Sequence, residues 1–272
     1  MLNETMINNI REAGIAQGTQ QVEDRMRLLE HEFGFRMADK AQYVVLASCF
    51  NPYLEPDDMK AFRKLLDYYS IDYTIIPREY CCGDPLYLKA IKDNDQQDLK
   101  QADELAAEFL NQNLKQIRQV GASSVIIYCA GCDMIWERLG GLYSEEILWH
   151  PTLINRLFQG GKLELQADYY AGCHKNRLTL NNTLPDLDSA LSSLSRIEGL
   201  ELNHLDSSLC CTKPDQVEIL YSSLKHKTLI SPCPGCTLFL RQALKDRGDY
   251  QIFMPSTIIW AAINGSRPGE NL

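Results

Sequence analysis

Short apolar runs alternate with amphipathic stretches along most of the chain. YVVLASC, at 43–49, is rich in β-branched residues and reads as a buried strand that ends on a cysteine. PDDMKAFRKLLDYYS, at 56–70, opens with proline and two acids and spaces its apolar side chains three and four apart, which predicts a helix. DYTIIP at 72–77 reads as the next strand. A helix is predicted through about 98–119, and SSVIIYC at 123–129 is a further strand ending on cysteine. The order then returns: LQADYYAGC, LELNHL, KTLISPC and QIFMP predict strands, with helices near 186–196, 214–225 and 237–246. Such alternation predicts an α/β fold with a small parallel sheet flanked by helices in each half.

The halves are related in detail. Placing Cys129 on Cys233 also places Gly131 on Gly235, Cys132 on Cys236, Pro151 on Pro255 and Gly161 on Gly265. LWHPTLINRLFQGG and IFMPSTIIWAAING are thus equivalents: an apolar run, a proline, a hydroxyl residue, then an apolar helix expected to end at glycine. Residues 1–40 fall outside the repeat. Their composition, as in VEDRMRLLEHEF, predicts an appended helical arm, solvated or packed on the body, with docking to a partner subunit as the alternative. The expected organisation is an N-terminal extension at 1–40 and two tandem similar domains at 41–162 and 163–272.

Composition removes several classes of function. With 36 acidic against 27 basic side chains among 272 residues, the formal charge is −9. That surface repels phosphate backbones, and no run of basic residues exceeds two, so nucleic acid is not an expected partner. The longest nearly apolar stretch, near Phe253 to Ile263, is too short to span a bilayer. No basic stretch followed by an apolar one opens the chain, so no secretory leader is expected, and a soluble, cytoplasmic protein is.

Ten cysteines change the picture. They are Cys49, Cys81, Cys82, Cys129 and Cys132, then Cys173, Cys210, Cys211, Cys233 and Cys236: in each half a single cysteine, a vicinal pair and a CxxC. Ligand sites in parallel sheets form beyond the carboxyl ends of strands. Cys49, Cys129, Cys173 and Cys233 are each the last residue of a predicted strand, so the five cysteines of a repeat are expected to meet at one sheet edge. In a reducing compartment they are poor candidates for structural disulfides. A zinc site takes four ligands, usually in closely spaced pairs; here a fifth thiol would be surplus and a vicinal pair fits a tetrahedron badly. A thioredoxin-like CxxC would use two cysteines per half and leave the other six unexplained. An iron–sulfur cluster has several metal corners and accommodates more sulfurs. All three chemistries stand as readings of the pattern, with iron–sulfur using most of it.

The motifs SCF, CCGDP and YCAGC, followed by AGCHKNR, CCTKP and SPCPGC, resemble the two cysteine-rich CCG domains found in the B-type subunit of heterodisulfide reductase, from about Tyr43 to Asn264. Related domains occur in iron–sulfur subunits of glycolate, lactate and glycerol-3-phosphate dehydrogenating enzymes. The resemblance implies two non-cubane [4Fe-4S] clusters, one on each quintet, with a disulfide or heterodisulfide substrate cleaved between them. It also implies a multisubunit oxidoreductase with a ferredoxin-like iron–sulfur subunit and a flavoprotein subunit as partners. The alternative within that class is an electron relay with no substrate chemistry of its own. Two departures stand out. The linkers before and after the vicinal pairs are 31 and 46 residues in the first repeat but 36 and 21 in the second, and Thr212 stands where Gly83 follows the first pair.

Other candidates surround the cysteines. His174, Lys175, Asn176, Arg177 and Lys213 in the second repeat, and Asp84 and Asp133 in the first, are placed to tune a cluster or bind a substrate carboxylate, or else lie on solvated loops. Gly131 and Gly235 are read as turn residues and His150 as a packed or capping histidine. His31, His204 and His226 show no ligand spacing. Neither GxGxxG nor GxxxxGK[ST] occurs, so no flavin, NAD or ATP of its own is expected, and electrons are expected from another subunit.

Overall fold

A computed structural model describes residues 2–17 and 25–272; the Val22–Asp24 part of VEDRMRLLEHEF lies outside the described residues. In chain order the elements are α1 (Glu4–Ala13), β1 (Tyr43–Leu46), α2 (Asn51–Leu54), α3 (Pro56–Tyr68), β2 (Tyr73–Ile75), α4 (Asp84–Asp93), α5 (Gln96–Gln119), β3 (Ser124–Ile127), α6 (Ala130–Arg138), β4 (Glu146–Trp149) and α7 (His150–Leu157). The second half continues with β5 (Gly161–Tyr169), α8 (Lys175–Asn181), α9 (Leu187–Ser195), β6 (Ile197–His204), α10 (Pro214–Ser223), β7 (Thr228–Ile230), α11 (Pro234–Leu244), β8 (Gln251–Phe253) and α12 (Pro255–Asn264). A π-helical stretch lies at Arg27–Glu32.

The strands form two four-stranded sheets, ordered β2-β1-β3-β4 and β6-β5-β7-β8, and every pairing is parallel. The fold is therefore α/β, and the two sheets have the same topology, as the sequence repeat requires. β1, β2, β3 and β7 are buried almost throughout, as strands covered on both faces should be. The first part of β5 alternates in exposure: it pairs with β6 there, and β7 joins only at Asp168 and Tyr169.

Local chemistry sets the helix ends. Proline stands at the start of α3, α4, α10, α11 and α12, where its fixed φ suits the first turn and no backbone donor is lost. The Asp95 side chain caps α5 by accepting from the N–H groups of Gln97 and Asp98. Gly265 closes α12 in the left-handed conformation, as expected. Its partner Gly161 behaves differently: α7 already stops at Leu157, because Gly161 is needed to begin β5.

The described chain divides into two compact units. The first contains the first sheet, the N-terminal segment, α4, α5 and α6, together with 175–185 and so α8. The second contains the second sheet, α3, α7 and α9 to α12. In the first unit, Ile7, Ile10 and Ala13 of α1, with Ile15, lie in one apolar cluster with Val44, Val125 and Phe109. This stretch of the N-terminal segment is core rather than a solvated arm. In the second unit Tyr170, Leu205, Leu220, Leu229 and Leu240 form the corresponding cluster.

Candidate functional site

The cysteines lie beyond the strand ends rather than on them. β1 stops at Leu46, three residues before Cys49, and β5 stops at Tyr169, four before Cys173. Cys129 and Cys233 are the residues preceding α6 and α11, in extended conformation. The physical reason is room: a side chain inside the ladder points into a sheet face, whereas one in the turn beyond can point along the edge, toward its neighbours. The correction leaves the expected convergence intact.

In the first unit, Cys49 Sγ lies 3.4 Å from Cys81 Sγ. The Cys81 thiol also bonds with Cys82, Cys82 with Cys132, and Cys132 with Cys129, so the five sulfurs form one connected set. Cys49, Cys81, Cys82 and Cys132 are buried and Cys129 is half-buried. Hydrogen bonds received from Cys49 and Cys82, with help from the Gly83 N–H and the charge of Arg25, hold the Cys81 thiol well below its ordinary range despite burial. Donation to Cys81 and burial push Cys49 up.

Backbone support for this quintet comes from outside it. The buried Glu79 carboxylate accepts from the N–H groups of Ala47 and Ser48 at 2.8 and 2.7 Å, and from Arg25 Nη2 at 2.6 Å. Arg25 also donates to the Ser48 carbonyl. Asn113 of α5 clasps Tyr80, accepting from its N–H and donating to its carbonyl. The Cys81 N–H donates to the Gly14 carbonyl at 2.7 Å. Gly83 has φ 86°, and a Cβ at Gly131 would stand 2.9 Å from Asp84 Oδ2, so that glycine is required by the Asp84 carboxylate. Loss of water and the Cys81 sulfur push Asp84 up to about 7. Arg25, Glu79, Asn113 and Gly14 were not legible as site residues: no spacing rule connects them to a cysteine.

In the second unit, Cys211 Sγ lies 3.3 Å from Cys236 Sγ. The Cys236 thiol is pushed up by its bonds to Cys211 and Cys233 and by burial. Tyr170 places the set: burial and then the nearby Cys236, Cys211, Cys173 and Cys210 sulfurs raise its phenol far above the usual range, and its hydroxyl donates to the Leu209 carbonyl at 2.5 Å. Cys211 and Cys236 are buried; Cys173, Cys210 and Cys233 are half-buried. Cys210 Sγ is 3.2 Å from the hydroxyl of Thr212, and the Cys210 N–H donates to Gln216. A Cβ at Gly172 would stand 2.9 Å from His174 Nε2 and 3.3 Å from Cys236 Sγ, which puts His174 beside this quintet. A Cβ at Gly235 would meet only Cys233 Sγ, at 3.8 Å, so unlike Gly131 it faces no carboxylate.

The remaining candidates disperse. Arg177 is buried in the first unit, where it pairs with Asp133 and Glu137 of α6. Lys175, Asn176 and Lys213 are exposed. His150 is buried against the Phe62 ring, 5.5 Å between centroids, a packed histidine as expected. His31 lies in the π-helical stretch, His204 packs edge-on against the Tyr169 ring, and the His226 N–H donates to Asp168.

Each quintet is a soft sulfur donor set of the kind that suits iron–sulfur clusters. Among the described residues no group of three or more His, Cys, Asp or Glu side chains is set to hold a metal ion. Within each unit thiols lie in contact, Cys49 with Cys81 and Cys211 with Cys236. The contacts among the thiols define the site more directly than the spacing of any one ligand cage.

Comparison with known proteins agrees with the cysteine pattern. The family described as CCG, a cysteine-rich domain, matches residues 43–135 and 167–221, more than half of the chain. The first match contains all five cysteines of its quintet; the second ends before Cys233 and Cys236. The chain is 26% identical over 155 residues to the D-type subunit of the dihydromethanophenazine:CoB–CoM heterodisulfide reductase of Methanosarcina acetivorans, covering 52% of this chain and 36% of that one. It is 23% identical over 192 residues to the protein of the same name from Methanosarcina barkeri, covering 65% of this chain and 44% of the other. It thus spans less than half the length of these curated relatives. No helix among the described residues is long and apolar enough to cross a membrane.

Proposed function

We propose that this chain, which belongs to the CCG cysteine-rich domain family, is an iron–sulfur redox subunit that reduces a disulfide or heterodisulfide. The observation that supports the reading is the contact of Cys49, Cys81, Cys82, Cys129 and Cys132 in the first unit and of Cys211, Cys233 and Cys236 in the second, where Cys173 and Cys210 also act on Tyr170. Cys49, Cys81, Cys82, Cys129 and Cys132 would hold one cluster, and Cys173, Cys210, Cys211, Cys233 and Cys236 the other. The relatives' printed name, that of a heterodisulfide reductase component, supports the same class of chemistry.

A bound cluster supplies single electrons, and a disulfide needs two electrons and two protons to become two thiols, so paired clusters fit the stoichiometry. The chain's own residues do the rest. Glu79, Asn113 and Gly14 fix the loops of the first quintet, and Tyr170 closes one wall of the second. Burial of Cys49, Cys81, Cys82, Cys132, Cys211 and Cys236 limits water at the sulfurs, which strengthens their electrostatic interactions. The electrons come from a ferredoxin-like iron–sulfur subunit and a flavoprotein subunit, in keeping with the lack of a nucleotide-binding loop in the sequence.

The test is anaerobic. Chemically reduced, iron-loaded protein is mixed with a small aromatic disulfide and the thiols are counted. Two thiols released per disulfide, with release lost in both Cys82→Ser and Cys211→Ser, is the expected result. Release at the background rate, or release indifferent to those substitutions, overturns the assignment. Rapid exchange of electrons with a dye but no thiol release makes the chain a relay.

A further inference from the structure

We propose that the N-terminal segment and the loop after β2 together form a positioning device for the first sulfur set, built from Arg25, Glu79 and the Gly14 carbonyl, which sets Cys49 against Cys81. The proposal rests on the iron–sulfur reading for its meaning but not for its geometry.

Cys49 follows Ser48, whose φ of 72° lies in the left-handed region that non-glycine residues avoid. Such a conformation persists only where the surroundings hold it. Here they do so from both sides. The Ala47 and Ser48 N–H groups converge on the Glu79 carboxylate, making a small anion nest, and the Ser48 carbonyl accepts from Arg25 Nε and Nη2 at 3.3 and 3.1 Å. Arg25 closes the ring on Glu79 at 2.6 Å, and both side chains are nearly inaccessible, 4% and 6% exposed. Glu79 is also two residues before Cys81 in the chain, so one carboxylate ties the Cys49 turn to the vicinal-pair loop. The second tie is the Cys81 N–H donating to Gly14. A Cβ at Gly14 would stand 2.6 Å from the Glu79 carbonyl, so only glycine allows this approach. The charge of Arg25 bears on the Cys81 sulfur.

Arg25 and Glu79 both lie outside the strands of the first sheet. Their hydrogen bonds end on the backbone of the residue before Cys49 and on the strand end leading to it.

The experiment uses the full chain with Arg25→Met, Arg25→Lys and Glu79→Gln. In the iron-free form, diamide oxidises two touching thiols to a disulfide, taking up their two electrons and two protons, and peptide mapping reads which pairs close. The wild type is expected to give both Cys49–Cys81 and Cys211–Cys236. Arg25→Met and Glu79→Gln are expected to lower the first at least tenfold and leave the second, an internal control in the other unit. In iron-loaded protein, removing the arginine charge in Arg25→Met is expected to lower the reduction potential of one of two clusters, while Arg25→Lys keeps it; a purely structural pair would leave the potential in place. An unchanged first crosslink in Arg25→Met, its absence in the wild type, or loss of both crosslinks together overturns the assignment. If no variant or wild type takes up iron, the functional reading fails, while the crosslinks still decide the positioning role.

Discussion

Asp58 offers the sharpest energetic test of how the second unit is held together. The residue sits in the first turn of α3 and is 1% exposed. It accepts the Met254 N–H at 2.8 Å, the Thr257 hydroxyl, and Arg241 Nη2 at 2.7 Å. Those donors belong to the start of α12, the residue before it, and α11, so one carboxylate fastens α3 to two other helices. Asp58→Ala takes this acceptor from all three. Two neutral donors losing a buried acceptor cost about 1–3 kcal/mol each. The Arg241 side chain is 30% exposed and is discounted, since water replaces part of its bond. A total of about 2–6 kcal/mol follows. Because each 1.4 kcal/mol is about a factor of ten, the slowest amides of β8 and α12 should exchange roughly thirtyfold to ten-thousandfold faster. Hydrogen exchange read by mass spectrometry measures this directly, with β3 of the first unit as the unaffected reference. Asp58→Asn, which keeps an acceptor and the shape, should lie between alanine and wild type. Alanine exchange within about twofold of wild type, or asparagine worse than alanine, would refute the reasoning.

Three further outcomes follow from the same contacts. Burial, opposed by Arg241 and reinforced by Asp58, pushes the Glu55 carboxyl up to about 9 although it touches Arg241; two buried carboxylates share one guanidinium, so one keeps its proton. The raised value means the contribution is complete below the unfolded value near 4.5 and lost as pH rises toward 9, so urea midpoints of the wild type should fall across that window and those of Glu55→Gln should fall less. Gly172→Ala places a Cβ against His174 and Cys236 at φ 94°, and should lower the iron content of the second quintet while sparing the first, as metal analysis beside Cys82→Ser will read. Arg177→Met strands the Asp133 and Glu137 carboxylates and should destabilise the first unit by about 2–4 kcal/mol in urea unfolding, with Asp133 the more affected because Glu137 is 39% exposed.

What the sequence made legible was chiefly local. Pro56, Pro214 and Pro255 with their apolar periodicity placed three helices, and β-branched runs placed both sheets, because these signals act within a few residues. The cysteine repeat pointed to the contacts of the first quintet and of Cys211 with Cys236, since strand ends of a parallel sheet share an edge. Gly161 and Gly265 carry the same pattern of an apolar helix ending at glycine, and only the start of β5 at Gly161 separates the two cases. The placing of α3 in the second unit rests on Asp58 meeting Met254, 196 residues away, which no local pattern records. Arg25 and Glu79 escaped for the same reason: they are 54 residues apart and meet only after the fold has formed.

The most direct measurement of the central claim is iron and acid-labile sulfide per chain in protein prepared without oxygen, compared across wild type, Cys82→Ser, Cys211→Ser and the double variant. Coloured wild-type protein with iron and sulfide in similar amounts, roughly half lost in each single variant and nearly all in the double, is the outcome the two sulfur sets predict. Colourless protein, or a single equivalent of zinc with no sulfide, would contradict it.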